Sequence, residues 1–393
     1  MHLTRPLCQP QLWQKTLPTL KSAHLKSIAQ ATGIKFAGTK ATVLERIQGE
    51  LSRHEAGKKQ KSENDQNQDK GLSVLSIDMG IRNLAFAHLT VSPSSSPTSK
   101  SAKKSEVTLN AWHRIDISAN QLSTSTSTST SPGPIDTSIP KSERRVQEKE
   151  QEKEAHTMNE IYTPDFYAQN AYAFLITLME KYQPTHILIE RQRFRSASGV
   201  AVQEWSLRVG VFEGMLYAVL YTLARQRRLS LSSHEPAPFS GFFGSGNLVD
   251  FGPGPVVHGI EPSRVLRYWG ERMGFKNVFL EGKEKKTAKD GKKVKIDLAG
   301  HWLDPEHPIT GKVDEDGGLS TDLIVGDDVG LNETLHAYLA KWHKKRGKEK
   351  GKDIGKLDDL ADCLVQGMTW LEWQVMRDRI LREGVDFFLE NGN

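Results

Sequence analysis

Asp78, Glu190 and the pair Asp359 and Asp362 are the residues whose types and positions suggest chemistry. Asp78 interrupts the apolar run "LSVLSID" and Glu190 ends "THILIE", each at the C-terminal end of a stretch that reads as a strand. Asp359 and Asp362 share one helix face through their i, i+3 spacing, with Asp358 adjacent. Ionised carboxylates are rarely buried unless they are paired or hold a metal. Brought together, they raise one another's pKa unless cations neutralise them. Mg²⁺ and Mn²⁺ take oxygen ligands and suit such a group. Two such ions roughly 3.5–4 Å apart activate a water and stabilise the leaving oxygen in phosphodiester cleavage. For Asp359 the plainer alternative is an acid favoured by the helix dipole in a first turn. No His/Cys cluster competes, and neither GxxxxGK[ST] nor GxSxG occurs.

These acids need a sheet to carry them. Residues 73–78 and 83–91 read as two strands hinged at Gly80, and 107–118 as a third. A helix over 164–182 precedes a fourth strand ending at Glu190. Residues 199–226 form a long helix that is apolar on more than one face, so it is either deeply buried or shared with a partner chain. A fifth strand over 256–262, a helix opened by Pro262 and a last helix from Lys356 complete the pattern. The order predicts an α/β domain with a mixed sheet covered by helices, and ligand sites in such sheets gather at the carboxyl ends of strands.

The remainder divides by composition. Residues 1–16 contain basic residues and no acid, which is compatible with a transit segment. Residues 17–54 predict two helices around a glycine turn, and 55–71 a polar linker before the domain at 72–385. That domain carries a low-complexity, charged insertion near 92–160 and two Lys-rich stretches at 281–295 and 341–356. The 393 residues carry a net charge of +5 and are 37% hydrophobic. Two cysteines, Cys8 and Cys363, exclude a disulfide framework. No apolar run is expected to reach membrane-spanning length, so the expectation is a soluble protein without a membrane partner.

The strings "SIDMGIRNLAFAHL", "ILIERQRFRS" and "KLDDLADCLVQ" together resemble the fungal mitochondrial cruciform-cutting endonucleases, Holliday junction resolvases of the RNase H-like superfamily related to bacterial RuvC. The resemblance implies a ribonuclease H-like fold, a mitochondrial location, a homodimer and metal-dependent symmetric incision of four-way DNA junctions. It also implies that Asp78, Glu190, Asp359 and Asp362 hold Mg²⁺ or Mn²⁺, two ions per subunit. Asp359 is preferred over Asp358 because "DLADCL" matches the D-x-x-D spacing of the final helix in that family. The segment "LKSAHLKSIAQATGIKFAGTKATVLERI" resembles a SAP motif, a small helical DNA-binding module, and Lys40 is its candidate DNA contact.

Arg82, Arg191, Arg193 and Arg195 follow the strand acids and suit phosphate positioning, while Gln192 and Phe194 suit contact with splayed bases. Lys356, immediately before the last acids, suits stabilisation of developing charge. Two other functions remain open from sequence. An actin-like ATPase would need a second phosphate loop, for which "VGDDVG" near 325 is the faint candidate. A non-catalytic SAP-type DNA-organising protein would need no convergent acids.

Overall fold

The structure, a computed structural model, describes residues 12–64, 71–92, 105–117, 163–192, 204–232, 254–272, 288–304, 306, 321–343 and 354–390. Most of the low-complexity insertion, Arg193, Phe194, Arg195, residues 281–287 and 344–353, and the first eleven residues lie outside the described residues.

Six strands form one mixed sheet: β1 (Leu72–Asp78), β2 (Leu84–Val91), β3 (Ser105–Ile115), β4 (His186–Glu190), β5 (Val256–Ile260) and β6 (Thr321–Val325), in the order β5-β4-β1-β2-β3-β6. β1, β2 and β3 make an antiparallel meander, while β4 runs parallel to β1 and β5 parallel to β4. This is the ribonuclease H-like arrangement, with β6 added parallel to β3. Gly80 makes the β1–β2 hinge possible, because a Cβ there would stand 2.9 Å from the Asn83 carbonyl carbon and oxygen.

Alternation along the strands sorts side chains to two faces. Leu75, Ile77, Ile187 and Ile189 pack against α4 (Pro164–Tyr182) and α5 (Glu204–Ser232). Val74, Leu89, Val107 and Leu188 pack against α6 (Pro262–Arg272), α7 (Ala288–Leu303), α8 (Val329–Trp342) and α9 (Leu357–Glu383). α4 is set by Thr163, whose hydroxyl accepts the Phe166 N–H, and by Pro164 in its first turn. In α5, Val209, Phe212, Leu216 and Leu220 are buried on the sheet side, but Trp205, Leu207, Val211 and Tyr221 are exposed. Contrary to the sequence expectation, Trp205–Gln226 is long and apolar enough to cross a membrane. Only 22% of that span is buried, through the stripe of Val209, Phe212, Leu216 and Leu220 that packs with α4.

The N-terminal helices α1 (Leu12–Thr16), α2 (Ser22–Ala31) and α3 (Lys40–Asn64) do not stand apart. Trp13, Leu17, Leu25, Ile28, Ile47 and Leu51 share one apolar cluster with Ile380 at the far end of α9, Val385 just beyond it, and Phe387 and Phe388 of the short α10 (Phe387–Glu390). Residues 12–16, within the candidate transit segment, thus belong to a packed cluster. Residues 55–64, expected as linker, continue α3, consistent with the helix-favouring Glu, Ala, Lys and Gln residues there.

Candidate metal centre

β1 and β4 bring their terminal acids to one place by the same two-residue rule. Val74, Ser76 and Asp78 share the face of β1 covered by α9, and Leu188 and Glu190 share that face of β4. The parallel register Ile77↔Ile189 then sets Asp78 beside Glu190. α9 is fixed over them by Gln366, whose Nε2 donates to Ser76 Oγ and to the Ile77 carbonyl, both at 3.1 Å. Gly367 permits that approach, since a Cβ there would lie 2.7 Å from Leu89 Cδ1. One turn before Gln366, Asp362 meets the strand acids. Asp78, Glu190 and Asp362 each offer a carboxylate oxygen, and these atoms all lie within 4.8 Å of one another.

Burial, reinforced by Glu190 and Asp362, holds the Asp78 carboxyl well above the usual carboxylate range. Burial raises Asp362 to about 6; Lys295 opposes that rise and Glu190 adds to it. Asp362 Oδ1 is a buried atom with no aligned hydrogen bond, although Lys295 Nζ lies 2.7 Å away as an ion pair. Three convergent carboxylate oxygens, among them an Asp362 Oδ1 without an aligned hydrogen bond, are the donor set a hard divalent cation takes. Asp78, Glu190 and Asp362 would hold one such ion by drawing these oxygens together around it. The residues fit the cation that the resemblance implied.

The other sequence candidates fall around this trio. Asp359, preferred from its spacing, is not in it: its Oδ2 faces Arg114 Nε of β3 at 3.3 Å, and burial raises it to about 6. Asp358 accepts from Lys292 of α7; it and Asp362, four residues apart, both face that helix. Lys356 occupies the N-cap position of α9 and is exposed. Arg82 is exposed on the β1–β2 hinge, its guanidinium 5.7 Å from the Trp205 ring centroid. The Arg191 N–H donates to the Ile260 carbonyl at 2.8 Å and the Gln192 N–H to Glu213 Oε2 at 3.1 Å, so the backbone leaving Glu190 is anchored on both sides. Lys40 opens α3 on the surface, remote in sequence from the trio. "VGDDVG" holds no phosphate loop: Asp328 caps α8 by accepting the Leu331 N–H at 2.9 Å.

Sequence reasoning missed Arg114 and Glu213, and took Lys292 and Lys295, within 281–295, only as candidate duplex-arm contacts or a solvated loop. The lysines lie in a stretch read as a basic loop, but Val294, Leu298 and Trp302 recur at helical spacing through it and mark the buried side of α7.

Comparison with known proteins adds three findings. A family model described as mitochondrial resolvase Ydc2 / RNA splicing MRS1 matches residues 74–380. The mitochondrial cruciform cutting endonuclease 1 of Schizosaccharomyces pombe is 27% identical over 216 residues, 55% of this chain and 60% of that protein. The chain therefore spans about 60% of the length of that curated relative. Among solved structures, the yeast mitochondrial Holliday junction resolvase Ydc2 is similar at a TM-score of 0.44 and 19% identity, over 94% of this chain and 98% of that one. Thermus thermophilus RuvC is similar at a TM-score of 0.29 and 12% identity, over 78% and 96%.

Proposed function

The chain belongs to the mitochondrial resolvase Ydc2 / RNA splicing MRS1 family, and from that premise we propose that it is a mitochondrial endonuclease that resolves four-way DNA junctions with divalent metal ions. The observation that carries the proposal is the convergence of Asp78, Glu190 and Asp362, with oxygens within 4.8 Å, at the carboxyl edge of the central strands. A protein that only bound nucleic acid would have no use for three such carboxylates.

Asp78, Glu190 and Asp362 would hold Mg²⁺ or Mn²⁺, and Asp358, on the same side of α9 as Asp362, completes the set for a second ion better than Asp359 does. Bound there, divalent cations supply an activated water and charge stabilisation at the leaving oxygen. The chain's own residues do the rest. Gln366 and Gly367 fix α9 against β1, so the acids are positioned before substrate arrives. Arg114 ties Asp359 to the β1–β2 hinge through Asn83 and steadies the loop that carries Arg82. Arg82, Arg191 and Lys356 are exposed at or near this edge and suit phosphate positioning, with Arg193, Phe194 and Arg195 next in the chain. The SAP-like helices, with Lys40 on their surface, would engage a duplex arm.

Symmetric resolution needs two strands of like polarity cut by equivalent sites, for which a twofold homodimer is the simplest geometry. The exposed apolar face of α5 formed by Leu207, Val211 and Tyr221 is the surface that would meet the second copy.

Incubation with Mg²⁺ and a synthetic four-way junction, beside linear duplex of the same sequence, tests the proposal. Paired symmetric nicks in the junction alone are expected. Tight junction binding without cleavage under any divalent metal would reduce the protein to a binding module.

A further inference from the structure

Lys295 carries a full positive charge into the carboxylate group from a helix that the cleavage chemistry does not otherwise use. Its side chain is 8% exposed, and its Nζ lies 2.7 Å from Asp362 Oδ1. Asp362, Glu190 and Asp78 all favour its charged form, so the ammonium faces the whole trio. A buried ammonium is costly unless it is paired, and so is a cluster of one buried and two half-buried carboxylates without a cation. Each therefore answers the other's need. The neighbouring pair repeats the pattern: Lys292, one turn earlier on α7, bonds Asp358. The Lys295 contact is close but not aligned as a hydrogen bond, which leaves the Asp362 oxygen open to a stronger cation.

We propose that Lys295 is a resident counter-ion of the metal centre, a positioning residue that holds Asp78, Glu190 and Asp362 together in the metal-free protein and competes with the divalent cation for Asp362. The inference rests on the metal-centre reading above. In the metal-free protein the ammonium keeps the acids from splaying apart. When a divalent cation takes Asp362, like charge drives Lys295 outward, so metal affinity is lower than the three acids alone would give. The trio is in this way pre-assembled without being closed to exchange.

The test is Mn²⁺ binding by the full chain without DNA, read from the electron paramagnetic resonance signal of free Mn²⁺. Lys295→Met should bind Mn²⁺ about tenfold more tightly than wild type, because a repelling charge a few ångströms away is gone. Lys295→Arg, which keeps the charge, should stay within about threefold of wild type. In chelator, Lys295→Met should melt below wild type, and Mn²⁺ should restore more of its melting temperature than it adds to wild type. Unchanged or weaker Mn²⁺ binding by Lys295→Met overturns the proposal and makes Lys295 a structural tie between α7 and α9. Should that variant fail to fold, amine acylation of the wild type, mapped by mass spectrometry, decides the matter. Lys295 should label faster with Mn²⁺ than in chelator, and equal or slower labelling overturns the proposal. Asp78→Asn separates the two readings: if it binds Mn²⁺ as wild type does, the metal-centre reading itself fails, whatever Lys295 does.

Discussion

Two aspartates of one helix show how differently α9 is used at its two ends. Asp362 lies in the second turn, where burial raises it to about 6 and its Oδ1 lacks an aligned partner. Asp378 lies sixteen residues on, roughly 24 Å at 1.5 Å per residue. Burial works to raise Asp378 as well, but His54 Nε2 and Lys58 Nζ, each 2.6 Å from its Oδ1, outweigh it and hold it below the ordinary range. Around Asp378 the helix is sealed by Ile28, Ile47, Leu51 and Ile380. Around Asp362 it meets other acids. The difference is between charge that the fold has satisfied and charge held for a ligand. Stability and chemistry should therefore separate along one helix.

The sharpest break is at the acidic end. Asp78→Asn or Asp362→Asn should lower junction cleavage by roughly 10²- to 10³-fold, since a bound cation supplies several kcal/mol of charge stabilisation. Junction binding should persist in a gel-shift assay, and the melting temperature of Asp78→Asn in chelator should hold or rise as repulsion is relieved, while that of Asp362→Asn should fall because it leaves the buried Lys295 unpaired. A cleavage loss matched by unfolding would erase the contrast.

At the other end the effects should reverse. Ile380, fully buried, should cost about 2–5 kcal/mol when truncated to Ala, measured by urea unfolding, while turnover per folded molecule stays at wild-type level. Loss of turnover in folded protein would show that the N-terminal cluster also governs the active edge.

The pH response sharpens the comparison further. Asp359 and Asp362 sit at about 6 against an ordinary 3.8, so in the metal-free protein their stabilising contribution is full below about pH 4 and is lost as pH rises through about 6. Divalent metal favours the ionised form of Asp362, the member of the trio among them, so the melting-temperature rise that metal induces should be small near pH 5 and large near pH 7.5. His88 and His258, lowered to about 4 by burial, act in the opposite sense but equally with and without metal, so the difference cancels them. A metal effect that is flat with pH would contradict the assignment of Asp362 to the metal centre.

The smallest effect belongs to Asp378→Asn, which weakens a half-exposed pair of contacts and should cost about 1 kcal/mol without altering cleavage. Its contribution is present above the ordinary carboxylate pKa and lost as pH falls through the lower folded value, opposite in sign to Asp362.

The parts of this molecule that obey local rules were legible in the sequence. Alternation ending in an acid at Asp78 and Glu190, Pro164 and Pro262 opening helices, and Gly33 and Gly38 bracketing the N-terminal turn all announce themselves within a few residues. What escaped depends on partners distant in the chain. β6 is five residues whose strand character comes from pairing with β3. α7 is masked by Gly291, Gly300 and a run of lysines, and only the fold turns Lys292 and Lys295 toward acids more than sixty residues away. Spacing placed Asp359 and Asp362 on one face, as i, i+3 must, but could not show that Arg114 claims Asp359. The N-terminal helices read as a tethered module because the surfaces that hold them, Ile380, Val385 and Trp373, lie at the opposite end of the sequence.

Crystals of the full chain soaked in Mn²⁺ and measured for anomalous scattering test the central claim most directly. The expected result is a peak bonded to oxygens of Asp78, Glu190 and Asp362 together, with the Lys295 ammonium moved away from Asp362. Manganese bound only elsewhere, with the trio intact and Lys295 still paired to Asp362, would contradict it.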